Sequence, residues 1–132
     1  MSKVLFVCKG NVGRSQMAEA FYSHLVGRGA YSAGIKAVTE LVHPPEDVVD
    51  IMLEENIDLS NQIIKKLNED MVRKADKVII MCKKEIYPSY LNNYSNKVLY
   101  WNIKDPRYMN TDERRKIRDI IKEKVLSLNR KS

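Results

Sequence analysis

The sequence predicts an α/β fold, a single doubly wound domain with a four-stranded parallel sheet flanked by helices. Three observations carry that expectation. Val4–Val7 and Val78–Met81 are unbroken apolar runs, the pattern of strands covered on both faces. Stretches with helical periodicity alternate with the strand-like runs along the chain. The chain is 132 residues long, enough for one buried core, and it shows no linker, internal repeat or low-complexity segment. The expected domain therefore spans residues 1–132.

Taken in order, residues 3–8 read as a buried strand. Residues 14–28 read as an amphipathic helix, with Met17, Phe21 and Leu25 spaced i, i+4, i+8 and with Ala18 and Ala20 allowing close packing. Tyr31-Ser32-Ala33-Gly34 is a short strand ending in a glycine turn. Pro44-Pro45 opens a helix running to about Glu55, with Val48, Val49, Ile51 and Met52 as its apolar residues. Residues 62–74, carrying Ile63, Ile64, Leu67 and Met71, are expected to be helical. Strands follow at Lys77–Cys82 and Lys97–Trp101. Residues 102–110 form a loop, and a helix begins at Thr111, its expected N-cap, with Ile117, Ile120, Ile121, Val125 and Leu128 on one side. In such sheets ligands bind beyond the carboxyl ends of the strands, near the topological switch point. The loop after the first strand, Cys82 and Asp105 should all gather at that edge.

Composition narrows the function classes. Apolar residues make up 44% and charged residues 30%, as in an ordinary globular protein. No apolar run approaches the roughly 18 residues that span a bilayer, so no membrane association is expected. Met-Ser-Lys leads straight into a strand, without the pattern of a signal peptide, and the expected location is cytoplasmic. The formal net charge is +6. Much of the excess lies among acids in the final segment (Arg114, Arg115, Lys116, Arg118, Lys122, Lys124, Arg130, Lys131), which reads as the solvated face of a helix. No nucleic-acid module or basic–aromatic tract is present, so nucleic acid is not the expected partner. A mildly basic surface would still steer anions toward a site. Two cysteines, Cys8 and Cys82, cannot make a disulfide framework, and their spacing does not suit a metal site.

The chemistry concentrates in Cys8-Lys9-Gly10-Asn11-Val12-Gly13-Arg14. A loop between a buried strand and a helix can turn its backbone N–H groups around a tetrahedral oxyanion, and the helix N-terminus adds positive potential there. Gly10 and Gly13 permit the close backbone approach. Cys8 is placed for thiolate stabilisation and nucleophilic attack, and Arg14 can grip two anion oxygens through its planar fork. Ser15 can hydrogen-bond the Cys8 sulfur, and Asn11 can brace the loop through its side-chain amide. Lys9 either contacts the substrate or faces solvent. A thiolate attacking phosphorus needs a proton donor for the departing oxygen, and Asp105-Pro106, in the loop after the last strand, offers one. Tyr108 either stacks on an aromatic leaving group at the mouth or is a surface tyrosine. His24 and His43 have no partner visible in the sequence.

Cys8 through Ser15, followed by Met17-Ala18-Glu19-Ala20, resembles the low-molecular-weight protein tyrosine phosphatases and the arsenate reductases that share their fold. Ser32-Ala33-Gly34 and Asp105-Pro106 fall in that superfamily's order and spacing, so the resemblance covers essentially the whole chain. It implies that Cys8 attacks phosphorus while Arg14 and the loop amides hold the equatorial oxygens. Asp105 would protonate the leaving group and then activate water against the cysteinyl-phosphate. No metal or cofactor is implied. The expected substrates are a phosphotyrosine protein or a small aryl phosphate, with phosphate and arsenate as inorganic oxyanion ligands, and the expected state is a monomer.

Departures from the phosphatase pattern point to the other branch. Gly13 stands where many of the phosphatases carry a second cysteine, Gln16 replaces the usual proline, and Arg107 replaces the first of two aromatics after Asp-Pro. Arg14–Glu19, Ile57–Asn61 and Cys82 look more like the arsenate reductases. In that branch Cys82 would resolve the Cys8–arsenate adduct, and with Tyr87-Pro88-Ser89 in place of a third cysteine an external thiol reductant would be needed. Otherwise Cys82 is a small core residue. The expected activity is thus a cysteine-dependent phosphomonoesterase, with arsenate reductase as the alternative. An oxyanion-binding module without turnover is the third class.

Overall fold

The computed structural model describes residues 3–130; of the basic segment, Lys131 and the side chain of Arg130 lie outside the described residues. Four strands, β1 (Val4–Cys8), β2 (Ala30–Gly34), β3 (Lys77–Ile80) and β4 (Val98–Tyr100), form one parallel sheet in the order β2-β1-β3-β4. Val4 pairs with Ala30 on one side and Lys77 on the other, so β1 is central and its carboxyl end meets the crevice toward β3 where the winding reverses. Val78, Ile79 and Ile80 are all buried, in keeping with cover on both faces. β4 is an edge strand with Leu99 and Tyr100 largely exposed.

One face of the sheet is covered by α1 (Arg14–Leu25), α2 (Glu46–Leu53) and α4 (Thr111–Arg130). Their apolar residues Met17, Phe21, Met52, Ile117, Ile121 and Val125 pack with Phe6, Cys8 and Ile79. The opposite face packs against Val72 of α3 (Glu69–Lys74) with the flanking Leu67 and Ala75, and against Leu91 of a 3-10 segment over Ser89–Lys97. Strand alternation separates the two clusters: Phe6 and Cys8 point into the first, Leu5 and Val7 into the second. Among the described residues, no helix is long and apolar enough to cross a membrane.

Three sequence expectations are corrected. The helix expected over 62–74 is confined to Glu69–Lys74. The segment before it runs along β2 instead: Gly34 donates to Lys65 O at 2.8 Å and Leu67 N–H to Gly34 O at 2.9 Å, so tertiary hydrogen bonds override helical spacing. Asn68 starts the short helix by accepting from Met71 N–H at 3.0 Å. In α1 the apolar stripe keeps Met17 and Phe21 buried but leaves Leu25 exposed, and Tyr22 and Val26 pack against the core in its place. At α4 the cap is Asn110, not Thr111. Asn110 Oδ1 accepts from Glu113 N–H at 2.9 Å while Glu113 Oε1 accepts from Asn110 N–H at 3.2 Å, a complete capping box one residue early.

Candidate active site

The loop between β1 and α1 is shaped by what its carbonyls do. Cys8 O, Lys9 O and Gly10 O accept from Ile35, Lys36 and Val38 N–H at 3.0, 2.8 and 3.1 Å, all on the chain leaving β2. A trans peptide directs its carbonyl and the next amide oppositely, so the amides of Lys9, Gly10 and Asn11 turn the other way, into the loop. Asn11 N–H accordingly donates to Cys8 Sγ at 3.3 Å. Gly34 makes this bracing possible, since a Cβ there would stand 2.8 Å from Lys9 O, Gly10 C and Asn11 N. No side chain caps the N-terminus of α1 at Gly13, leaving the positive end of the helix open to the loop.

Asn11 locks the loop from beneath. Its backbone has φ 58°, the left-handed conformation that asparagine tolerates better than most residues. Its buried amide has all four hydrogen-bonding positions filled. Nδ2 donates to Ser15 Oγ at 2.7 Å and Ser32 Oγ at 3.0 Å, and Oδ1 accepts from Gln16 Nε2 at 3.0 Å and Lys65 N–H at 2.8 Å. Ser15 Oγ lies 2.9 Å from Cys8 Sγ, and Ser32 donates to Glu19, whose carboxylate is 3.6 Å from Lys65 Nζ. A continuous polar chain thus runs from the Cys8 sulfur to a charged pair at its far end. Sequence reasoning had no role for Gln16, Glu19, Ser32 or Lys65 in this chain. The small residues of Ser32-Ala33-Gly34, ending a buried strand beside the loop, were the available signal.

Arg14 is buried at the start of α1. Its NH1 donates to Met81 O and, at 3.0 Å, to Ile103 O, carbonyls just beyond β3 and β4. Its NH2 stands 3.8 Å from Asp105 Oδ2. Asp105 is half-exposed and accepts from Arg107 N–H at 3.0 Å through Oδ1, capping the 3-10 turn Pro106–Tyr108. Cys8, Arg14 and Asp105 together line a cavity of about 300 Å³, with Lys9, Gly10, Val12 and Gly13 also in its wall. Beyond them the wall mixes aliphatic residues, Val38, Leu41, Val48, Ile51 and Pro106 among them, with the charged Lys36, Asp47, Arg107 and Arg114. Tyr108 is not part of this wall. It is 89% exposed, with the Arg107 guanidinium 5.4 Å from its ring centroid.

Cys82 lies just past β3 at the same edge, but it packs with Leu91 and Ile80 in the cluster on the face opposite Cys8. Both cysteines are free thiols. Burial, with a smaller contribution from the neighbouring Cys8, pushes the Cys82 thiol up to about 12. His24 and His43 bond to Ala20 O and Gln62 O and take no part in the cavity. Among the described residues, no three His, Cys, Asp or Glu side chains assemble as metal ligands.

The family model for low molecular weight phosphotyrosine protein phosphatase matches residues 3–131. The chain belongs to that family. Family members of both activities resemble it. The arsenate reductase of Staphylococcus aureus is 32% identical over 121 residues, covering 90% of this chain and 89% of the reductase. The low molecular weight protein tyrosine phosphatase of T. tengcongensis superposes with a TM-score of 0.86 at 27% identity, over the whole of both chains. YwlE from Bacillus subtilis, solved as a mutant, superposes at 0.87 with 26% identity, covering 99% of this chain and 98% of that one. A further YwlE structure, with the same TM-score and identity over 98% of this chain and 94% of that one, is of an arginine phosphatase mutant with a phosphorylated active-site serine. The fold and superfamily expected from the sequence are therefore those of this chain.

Proposed function

We propose that the chain acts as one catalytic domain, a phosphomonoesterase that cleaves phosphotyrosine-type aryl esters through a cysteinyl-phosphate on Cys8. The observation that carries this reading is the pair of hydrogen bonds on the Cys8 sulfur, from Asn11 N–H at 3.3 Å and with Ser15 Oγ at 2.9 Å, at the foot of a cavity whose rim holds Asp105. Both contacts fix the Cys8 sulfur in place for attack on phosphorus. In the first step the Cys8 sulfur forms its bond to phosphorus as the ester oxygen leaves with the proton of Asp105. In the second, Asp105 takes a proton from water as its oxygen attacks phosphorus, and the S–P bond breaks to free phosphate. The inward loop amides, the α1 N-terminus and the Arg14 guanidinium stabilise the charge on the equatorial oxygens in both steps. The aliphatic side chains of Val38, Leu41 and Pro106 within that wall support an aryl group as the part of the substrate beyond phosphorus.

A second reading, arsenate reduction, is favoured by the 32% identity to an arsenate reductase and by Cys82, which follows the residue whose carbonyl holds Arg14. There Cys8 would displace an oxygen of arsenate. The Cys82 sulfur would then attack Cys8 Sγ, releasing arsenite and leaving a disulfide, which two external thiols, or one dithiol, would reduce to restore both cysteines. Two electrons pass from the thiols to arsenic. The placement of Cys82 on the opposite face, in its neutral form, supports the phosphatase instead.

One experiment decides between them. Fully reduced protein is mixed with arsenate without added reductant, and free thiols and arsenite are counted beside turnover of an aryl phosphate. Survival of both thiols, competitive inhibition by arsenate and loss of aryl phosphate turnover in Cys8→Ser are the expected results. Loss of both thiols, with about one arsenite per chain, would replace the phosphatase reading with the reductase.

A further inference from the structure

Asp105 sits on a short turn with half its side chain in water, a poor way to hold an acid to within fractions of an ångström. The structure ties this turn from behind. Arg114, on the first turns of α4, donates through Nε to Pro106 O at 3.2 Å and through NH2 to Arg107 O at 3.2 Å. Those are the carbonyls of the two residues that follow Asp105. Its third nitrogen, NH1, stands 3.1 Å from Asp47 Oδ2. Asp47 lies in the first turn of α2, and its other oxygen accepts from Val48 N–H at 2.8 Å. One guanidinium thus binds the acid-bearing turn, α4 and α2 together at the cavity wall, where both Asp47 and Arg114 are found. The base of Arg114 is itself fixed: its N–H donates to Asn110 O at 3.0 Å beside the Asn110–Glu113 capping box.

We propose that Arg114, anchored by Asp47, is a positioning residue that holds Asp105 where it can protonate the leaving group. The inference rests on the phosphatase reading and extends it to residues that touch neither the nucleophile nor the loop. Only a planar fork reaches two carbonyls and a carboxylate at once. A lysine, with one nitrogen at the end of a flexible stem, can meet Asp47 but cannot hold both carbonyls in the same plane. General acid catalysis contributes about 10²–10⁴-fold, and a misplacement of about 1 Å can remove about 100-fold. The loss falls on esters whose leaving groups need the proton, while strongly activated aryl esters depart without it.

The test compares kcat/KM for phenyl phosphate and for a strongly activated aryl phosphate in wild type, Arg114→Met, Arg114→Lys, Asp47→Asn and Asp105→Asn, with urea unfolding to confirm that each variant is folded. Arg114→Met should lose about tenfold to hundredfold with phenyl phosphate and less than about threefold with the activated ester, steepening the dependence on leaving-group pKa. Arg114→Lys should fall between, and Asp47→Asn should shift in the same direction by less. Arg114→Met combined with Asp105→Asn should steepen the leaving-group dependence no further than Asp105→Asn alone. Equal losses for both esters in a folded Arg114→Met, or a full additional loss in the double variant, would overturn the positioning role. If Arg114→Met does not fold, Arg114→Lys and Asp47→Asn are judged by the same criterion. If Asp105→Asn itself leaves the leaving-group dependence unchanged, the assignment of the acid fails, and the role of Arg114 falls with it.

Discussion

Replacing Gly34 with alanine should damage the anion loop without touching any residue in it. The constraint at Gly34 is space: its φ is not in the left-handed region, but an added Cβ would meet Lys9 O, Gly10 C and Asn11 N at 2.8 Å. Ordinary contact begins near 3.4 Å, so the loop and β2 must separate by about 0.6 Å. They cannot do so freely, because three hydrogen bonds from residues 35, 36 and 38 tie the same loop to the same chain. Overpacking of this kind costs about 1–3 kcal/mol. The loop amides would also retreat from Cys8, and a shift of that order should lower kcat/KM for an aryl phosphate by about tenfold or more. Urea unfolding gives the first number, and steady-state turnover with phosphate inhibition gives the second. A Gly34→Ala protein within about 0.5 kcal/mol of wild type, the range of an ordinary surface substitution, and with unchanged phosphate affinity would refute the account of how the loop is braced.

Two other perturbations test the same architecture. Asn11→Ala removes four hydrogen bonds, strands buried partners and puts alanine at φ 58°, so it should destabilise the protein by about 2–5 kcal/mol. Asn11→Gly should recover about 1 kcal/mol of that by relieving the backbone, and urea unfolding of the two variants checks both numbers. For Cys82, the folded thiol is raised from its ordinary 9.0 to about 12, so stability present below pH 9 is lost as pH rises from 9 toward 12. The urea midpoint of wild type should fall across that window by more than that of Cys82→Ala, and parallel curves would show that Cys82 is not desolvated in solution.

The local elements that place the site were legible because they depend on short-range pattern. Uninterrupted apolar runs at Val4–Val7 and Val78–Ile80 meet the demand of a sheet covered on both faces. The strand–loop–helix order around Cys8 put a nucleophile, glycines and an arginine at one helix N-terminus, whatever the rest of the chain did. The misread segment, 62–68, has helical spacing of its apolar residues. Its backbone donors and acceptors nevertheless find Gly34 and Asn11, partners 30 or more residues away, and no local pattern records that. The cap at Asn110 was a near miss of one residue, since Asn-Thr-Asp-Glu holds both halves of the box.

By itself the sequence determined the α/β class and the strand–loop–helix that carries Cys8 and Arg14, because strand and helix periodicity and a seven-residue loop are local properties of the chain, and its resemblance to known proteins carried the superfamily. Only the tertiary structure decided the surroundings. It turned Tyr108 outward and faced the cavity with Val38, Leu41 and Pro106. It set Cys82 on the sheet face opposite Cys8, and it brought Asp47 and Arg114 from two helices to the turn that carries Asp105. Those outcomes follow from which face of a strand a side chain takes and which distant carbonyl a guanidinium can reach. Both are fixed by the packing of elements far apart in the chain, where sequence spacing carries no distance.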